Sequence, residues 1–206
     1  MVNAMQTTPL LDLQPETSSA AATSTSMAAT TADAALAQAW AVLECVPDPE
    51  IPVVSIRELG ILRDVRRADD ARGTLEVVIT PTYSGCPAMG QIKQDIESAM
   101  TAAGIVPFRV VSVLAPAWTT DWITAEARAK LNAYGIAPPQ GDRPIAPGTA
   151  QPLRFVPRRG SVADQPPCPH CHSTHTERLA QFGSTACKAL YRCLECREPF
   201  DYFKPY

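Results

Sequence analysis

The run 74-TLEVVITPTYSGCPAMGQI-92 changes periodicity halfway along its length. Leu75, Val77 and Ile79 alternate, which predicts a strand over 74–80. Beyond the cysteine, Met89, Ile92, Ile96, Ala99 and Ala103 recur at helical spacing and predict a helix over 88–103, stopped by Gly104. A further strand pattern, 108-FRVVSVL-114, follows. A thiol, Cys86, therefore sits at a strand-to-helix junction, beside a proline suited to the first helical position.

Outward from this stretch the pattern continues. Residues 61–67 read as a strand, joined to the strand over 74–80 by the polar turn 68-ADDARG-73. Upstream, Leu36, Trp40 and Leu43 mark one face of a helix that Asp33 can cap and that runs to Cys45. Three prolines in 46-VPDPEIP-52 end it. Downstream, Asp121 or Thr120 can cap a last helix reaching Tyr134, with Gly135 as its stop. The order α-β-β-α-β-α mixes a hairpin with a crossover. The expected fold class is α+β, a small mixed sheet with helices over residues 33–136.

Residues 1–32 are rich in Ser, Thr and Ala with few large apolar groups, and read as a disordered tail. Residues 137–166 are rich in proline and read as a linker. Residues 167–206 form a second region, holding five of the seven cysteines and all three histidines.

That region carries 168-CPHC-171 and 193-CLEC-196. Two residues between cysteines let one tight turn aim both sulfurs at a single point. Two such turns make a tetrahedral thiolate cage. So short a segment buries too little surface to fold alone, and zinc binding worth ~10–16 kcal/mol covers the deficit. The spacing predicts a β zinc ribbon, with structural zinc on Cys168, Cys171, Cys193 and Cys196. An iron–sulfur cluster on the same thiolates is an alternative. So are haem attachment at 168-CPHCH-172 and redox chemistry at one pair. Cys187 is an additional thiol, read either as a buried residue or as a spare ligand. His170, His172 and His175 read as exposed loop residues.

Composition sets outer limits. The 206 residues are 46% hydrophobic and 19% charged, with a net charge of −3. Residues 168–206 hold five basic against four acidic residues, so no basic stripe marks a nucleic-acid site. No apolar run approaches the ~20 residues of a membrane span. The N-terminus has neither a basic nor an apolar signal region, which with the abundant cysteines points to the reducing cytoplasm.

At Cys86, the helix dipole favours an anion by ~0.3–1 kcal/mol, too little to create a nucleophile. No histidine occurs before His170, which disfavours an internal Cys–His couple. On these residues alone, a buried cysteine filling a helix mouth remains an open reading.

The segments 48-DPEIPVVSIRELGILRDV-65 and 80-TPTYSGCPAMGQI-92 resemble a widespread iron–sulfur assembly domain, at Asp48, Pro49, Glu50, Leu59, Gly60, Thr80, Cys86 and Pro87. The tail 182-FGSTACKALYRCLECREPFDYFK-204 is similar to that of the phenylacetate-degradation D family. One position departs from that pattern: Pro205 stands where a further cysteine often follows Phe-Lys. The resemblance implies an accessory protein of the phenylacetyl-CoA epoxidase system, with no reaction of its own, that assists assembly of an iron or iron–sulfur centre. The implied carrier site is Cys86 with Asp48 and Glu50 as oxygen ligands, and Thr80 tying the loop. The implied partners are the oxygenase and reductase components of that system, with neither nucleic acid nor membrane. A homodimer sharing one cluster between two copies of Cys86 is compatible with the sequence. A structural or adaptor subunit that docks through the ribbon is the alternative role.

Overall fold

The computed structural model describes residues 33–140 and 165–205. The expected tail over 1–32 and most of the expected linker lie outside them. The chain divides after Ala35, and both sheets belong to the unit Leu36–Tyr206.

Helix α1 covers 33–43. Ala39 and Leu43 on it are fully buried, and Leu36 and Trp40 pack against the same core. The hairpin β1 (Leu62–Arg67) and β2 (Leu75–Ile79) follows. The two pair antiparallel, with an irregularity between Leu62 and Asp64. Helix α2 (Met89–Ala102) then crosses over to β3 (Phe108–Ser112), which pairs parallel with β2. The sheet order is β1-β2-β3. Ile92, Ile96 and Met100 of α2 are fully buried, each such side chain stabilising by ~1.5–3 kcal/mol. Met100 extends the stripe expected from the sequence, one turn beyond Ile96 on the same face.

Two details differ from the sequence reading. Helix α2 begins at Met89, so Pro87 lies ahead of the helix and not in its first turn. The last helix, α3 (Ala125–Ala133), is capped by Thr124, whose hydroxyl accepts from Ala127 N–H at 3.1 Å. Thr120 and Asp121 belong instead to a separate 3₁₀ turn, Thr120–Trp122.

The segment around 48–60 is held by side-chain capping. Asp48 Oδ1 accepts from the amides of Glu50 at 2.9 Å and Ile51 at 2.8 Å. Ser55 and Glu58 cap one another reciprocally, side chain to amide in both directions. Gly60 has φ +72, and Trp118 Nε1 donates to the carbonyl of Leu59 at 2.9 Å. A Cβ at Gly60 would fall 2.6 Å from Trp122 Cβ, so this position needs glycine twice over.

The ribbon sheet has the order β4-β7-β6-β5. Strands β5 (Thr176–Ala180), β6 (Lys188–Cys193) and β7 (Pro199–Phe203) form an antiparallel meander. The fourth strand, β4 (Ile136–Ala137), comes from the end of α3 and pairs parallel with β7. The boundary expected at 136/137 thus cuts through a strand. The ribbon is stitched to the first lobe, and Phe203 lies in the first lobe's buried cluster, its ring 6.0 Å from that of Trp118. Tyr191, stacked on Phe200 at 5.9 Å and edge-on to Tyr202 at 5.4 Å, fills the ribbon's own small core.

Candidate functional site

The two cysteine knuckles take the same local shape. In each, the residue after the second cysteine is left-handed: His172 with φ 60 and Arg197 with φ 67. The amide of His172 bonds back to Cys168 at 2.9 Å, and that of Cys193 reaches Glu198 at 3.0 Å. Cys168 Sγ lies 3.7 Å from Cys196 Sγ, and Cys171 Sγ lies 3.5 Å from Cys193 Sγ. All four sulfurs fall within 4.8 Å of one another. Zn–S bonds of ~2.3 Å in a tetrahedron require about 3.8 Å between sulfurs, so the cage fits zinc. Burial pushes the Cys193 thiol up, but the amides of Cys196 and Glu195 and the thiol of Cys171 outweigh it and bring it down to about 7. Cys196, despite a bond from the Glu198 amide, is pushed up to about 12 by burial and by its three sulfur neighbours. Four thiolates at this spacing need a cation between them, and a structural zinc supplies it. His170, His172 and His175 are exposed, and His175 Nδ1 faces Glu195 Oε1 at 3.0 Å.

Cys86 belongs to a second cluster. Its amide bonds to Tyr83 and its sulfur accepts from the Ala88 amide, both ahead of α2. It is half-buried, and burial pushes its thiol up; the charges of Glu50 and Asp48 push the same way. Asp48 is 5% exposed, and burial raises its carboxyl above the ordinary range. Glu50 is raised by burial and by Asp48. Thr80, buried just after β2, gives its amide to the carbonyl of Ile61 at 2.9 Å. The structure therefore brings Cys86, Asp48 and Glu50 within electrostatic reach of one another.

Sequence reasoning did not place the other half of this cluster. The turn before β6, with Thr185 and Cys187, and Lys188 at the start of β6 come within electrostatic reach of Asp48, Glu50 and Cys86. Cys187 is 5% exposed and part of the first lobe's buried cluster. Burial pushes its thiol up, and Glu50 and Cys86 add to that. Thr185 Oγ1 lies 2.9 Å from Cys187 Sγ and is also hydrogen-bonded to Glu50. The Cys187 carbonyl is fixed by the amide of Lys204 at 3.0 Å. Lys188 is 4% exposed and pairs with Asp201 at 3.4 Å, and its charge also reaches Asp48 and Glu50. The sequence signals were the additional thiol Cys187 and the lysine that opens the run 188-KALY-191, which needs an acidic partner once buried.

Two families cover the described lobes. A profile of an iron–sulfur cluster assembly protein matches residues 36–114, and one of the PaaD zinc beta ribbon domain matches residues 155–204. A curated protein of Escherichia coli K12, named provisionally as the D subunit of 1,2-phenylacetyl-CoA epoxidase, is 46% identical over 179 residues, covering 85% of this chain and 96% of that one. Among solved structures, a domain of unknown function, DUF59, from Bacillus anthracis is 30% identical and covers 50% of this chain and 96% of its own, with a TM-score of 0.45. A Mycobacterium tuberculosis protein, titled as associated with [Fe-S] complex assembly and repair, is 28% identical over 50% of this chain and 87% of its own, with a TM-score of 0.31. Among the described residues, no helix is long and apolar enough to cross a membrane.

Proposed function

The chain belongs to the family of the phenylacetyl-CoA epoxidase D subunit, and from that premise we propose that it is an accessory maturation factor of the epoxidase system. In this reading it carries out no reaction of its own. It holds iron, or an iron–sulfur cluster, as cargo for the oxygenase or reductase component and passes it on. The supporting observation is the half-buried Cys86 thiol set against the carboxylates of Asp48 and Glu50. One soft and two hard ligands suit a borderline metal such as iron. Burial and the neighbouring carboxylates keep the empty thiol protonated, so an arriving cation must displace its proton. That competition makes binding reversible, as a carrier requires. The ribbon's zinc, with four protein ligands and no open position, holds the fold.

Oxygenase and reductase purified from cells lacking this protein should carry less iron and acid-labile sulfide than those from wild-type cells. Cys86→Ala should fail to restore them while keeping its zinc. Full metallation in the deletion strain would overturn the proposal.

An adaptor subunit is the second reading. It draws on Leu179 and Phe182, 48% and 64% exposed, at and just beyond the edge strand β5. Co-purification with the oxygenase at fixed stoichiometry, lost in a Leu179→Ser/Phe182→Ser double variant, would favour it.

A further inference from the structure

We propose that the outer edge of β3 is a self-pairing surface, on which a second copy of this chain adds its own β3 antiparallel across a twofold axis at Val110. The inference goes beyond the carrier reading and is independent of what Cys86 holds.

The hydrogen-bond register opens this edge. Leu75 N–H donates to the carbonyl of Pro107 at 3.0 Å, and Val113 N–H to the carbonyl of Ile79 at 2.9 Å. Strands β2 and β3 run parallel between these two bonds, so Arg109 and Val111 also turn their backbone groups to β2. Phe108, Val110 and Ser112 turn theirs the other way. β3 is an end strand of its sheet, and among the described residues no hydrogen-bond partner takes the amides or carbonyls of those three. Sheet edges are ordinarily blunted by charge, a bulge or a covering element. Here the register with β2 is regular, and the charge on the strand, Arg109, is held by Glu76 at 2.6 Å.

The edge is complementary to itself. An axis at Val110 sets Val110 against its own copy and Phe108 against Ser112, so every outward donor and acceptor of the strand finds a partner. The same axis joins two exposed apolar ends. Val106 and Leu114, 70% and 64% exposed, each stand four residues from Val110, so Leu114 of one copy lies at Val106 of the other. Moving the axis to Ser112 would set Phe108 against Pro116, which has no N–H, and would part those ends.

Charge on the outer face of the sheet agrees. The strand register lays out two rows there. Arg66, Glu76 and Arg109 form one, with positive charge in excess; Asp64, Val78 and Val111 form the other, which is negative. The twofold axis sets Arg109 beside Val111 of the second copy, and so joins each positive row to a negative one. Three strand spacings, ~14 Å, separate Asp64 from that arginine, so the attraction orients the copies at low salt and adds little affinity. The pairing makes one continuous sheet from two three-stranded ones.

So small an interface should give a weak dimer, in the micromolar to millimolar range. The full, zinc-loaded chain is therefore followed by sedimentation across that range. The weight-average mass should rise towards that of the dimer. Amide exchange at Phe108, Val110 and Ser112 should slow about tenfold once the dimer predominates, with Arg109 and Val111, already bonded to β2, unchanged. Val110→Pro removes an N–H that faces outward and should hold the chain monomeric with its zinc and near-ultraviolet circular dichroism intact. Val106→Lys with Leu114→Lys opposes like charges and should also stay monomeric. Val106→Lys with Leu114→Glu opposes unlike charges and should dimerise. If Val110→Pro misfolds, these two double variants decide, and equal dimerisation of both overturns the proposal. A wild type that stays monomeric at millimolar concentration overturns it, as does a dimer whose Phe108, Val110 and Ser112 amides exchange at the monomer rate. Edge protection that appears only on adding the oxygenase component would assign the edge to that partner and overturn self-pairing. None of these outcomes bears on the metal at Cys86.

Discussion

Cys187 immediately precedes strand β6 and Cys193 closes it, so one stretch of extended chain runs from the Cys86 cluster to the zinc cage. At ~3.3 Å per residue the two centres stand ~20 Å apart. That is too far for shared ligands. Zinc bound at Cys193 would hold one end of this strand and, along it, the turn that carries the thiol at the other.

Zinc removal should therefore disable both centres. Stripping zinc with a chelator at mildly acidic pH should melt the ribbon and remove the near-ultraviolet circular dichroism of the Trp118–Phe203 contact. Co²⁺ binding at the Cys86 cluster should vanish with it, and one equivalent of zinc should restore both. Survival of the contact in the zinc-free protein would break the link.

His172→Gly and Arg197→Gly relieve left-handed backbone at equivalent places in the two knuckles. The left-handed region costs a non-glycine residue ~1–2 kcal/mol, against ~0.5–1 kcal/mol for glycine's extra chain entropy. Each variant should melt at or slightly above the wild-type temperature with its zinc content unchanged. Loss of zinc in His172→Gly would make that histidine a ligand.

Asp48→Asn keeps the side-chain oxygen that caps Glu50 and Ile51 while removing a buried charge. Because burial raises the folded-state pKa of Asp48, the native state binds the proton more tightly than the unfolded chain. Its contribution to stability is present at low pH and is lost as pH rises through the raised value. The metal-free Asn variant should gain on wild type from about pH 4 upward, as read by denaturant titration at several pH values. With Co²⁺ bound, the advantage should shrink or reverse.

Gly60→Ala should destabilise the first lobe by at least ~2 kcal/mol, combining left-handed strain with overlap on Trp122. The midpoint of urea unfolding should fall. A Gly73→Ala control shares the positive φ but meets no atom within 4 Å, and should cost visibly less.

Much of the scaffold was legible in the chain because it depends on near neighbours. Strand alternation at 75–79 and the helical stripe from Ile92 to Ile96 report local periodicity, and both elements stand where that periodicity put them. The helix starts were less legible. A Thr at 124 and a Thr at 120 have the same capping chemistry, and the choice between them was made by tertiary contacts, including Trp118 against Leu59 and Arg128 Nη2 on the Thr120 carbonyl at 2.7 Å.

The four-cysteine cluster was legible in the sequence, since each C-x-x-C turn sets the positions of its own two sulfurs, and the structure gathers the two pairs within 4.8 Å. The Cys86 cluster was only half visible. Cys86, Asp48 and Glu50 stand on segments whose motifs can be read, whereas Cys187, Thr185 and Lys188 stand in the distant tail stretch 182–204, whose own resemblance does not say that they meet the first lobe. Their meeting was decided by tertiary structure: β4 pairs with β7, Phe203 enters the first lobe's core, and the burial of apolar surface between the lobes carries the turn before β6 onto the Cys86 loop.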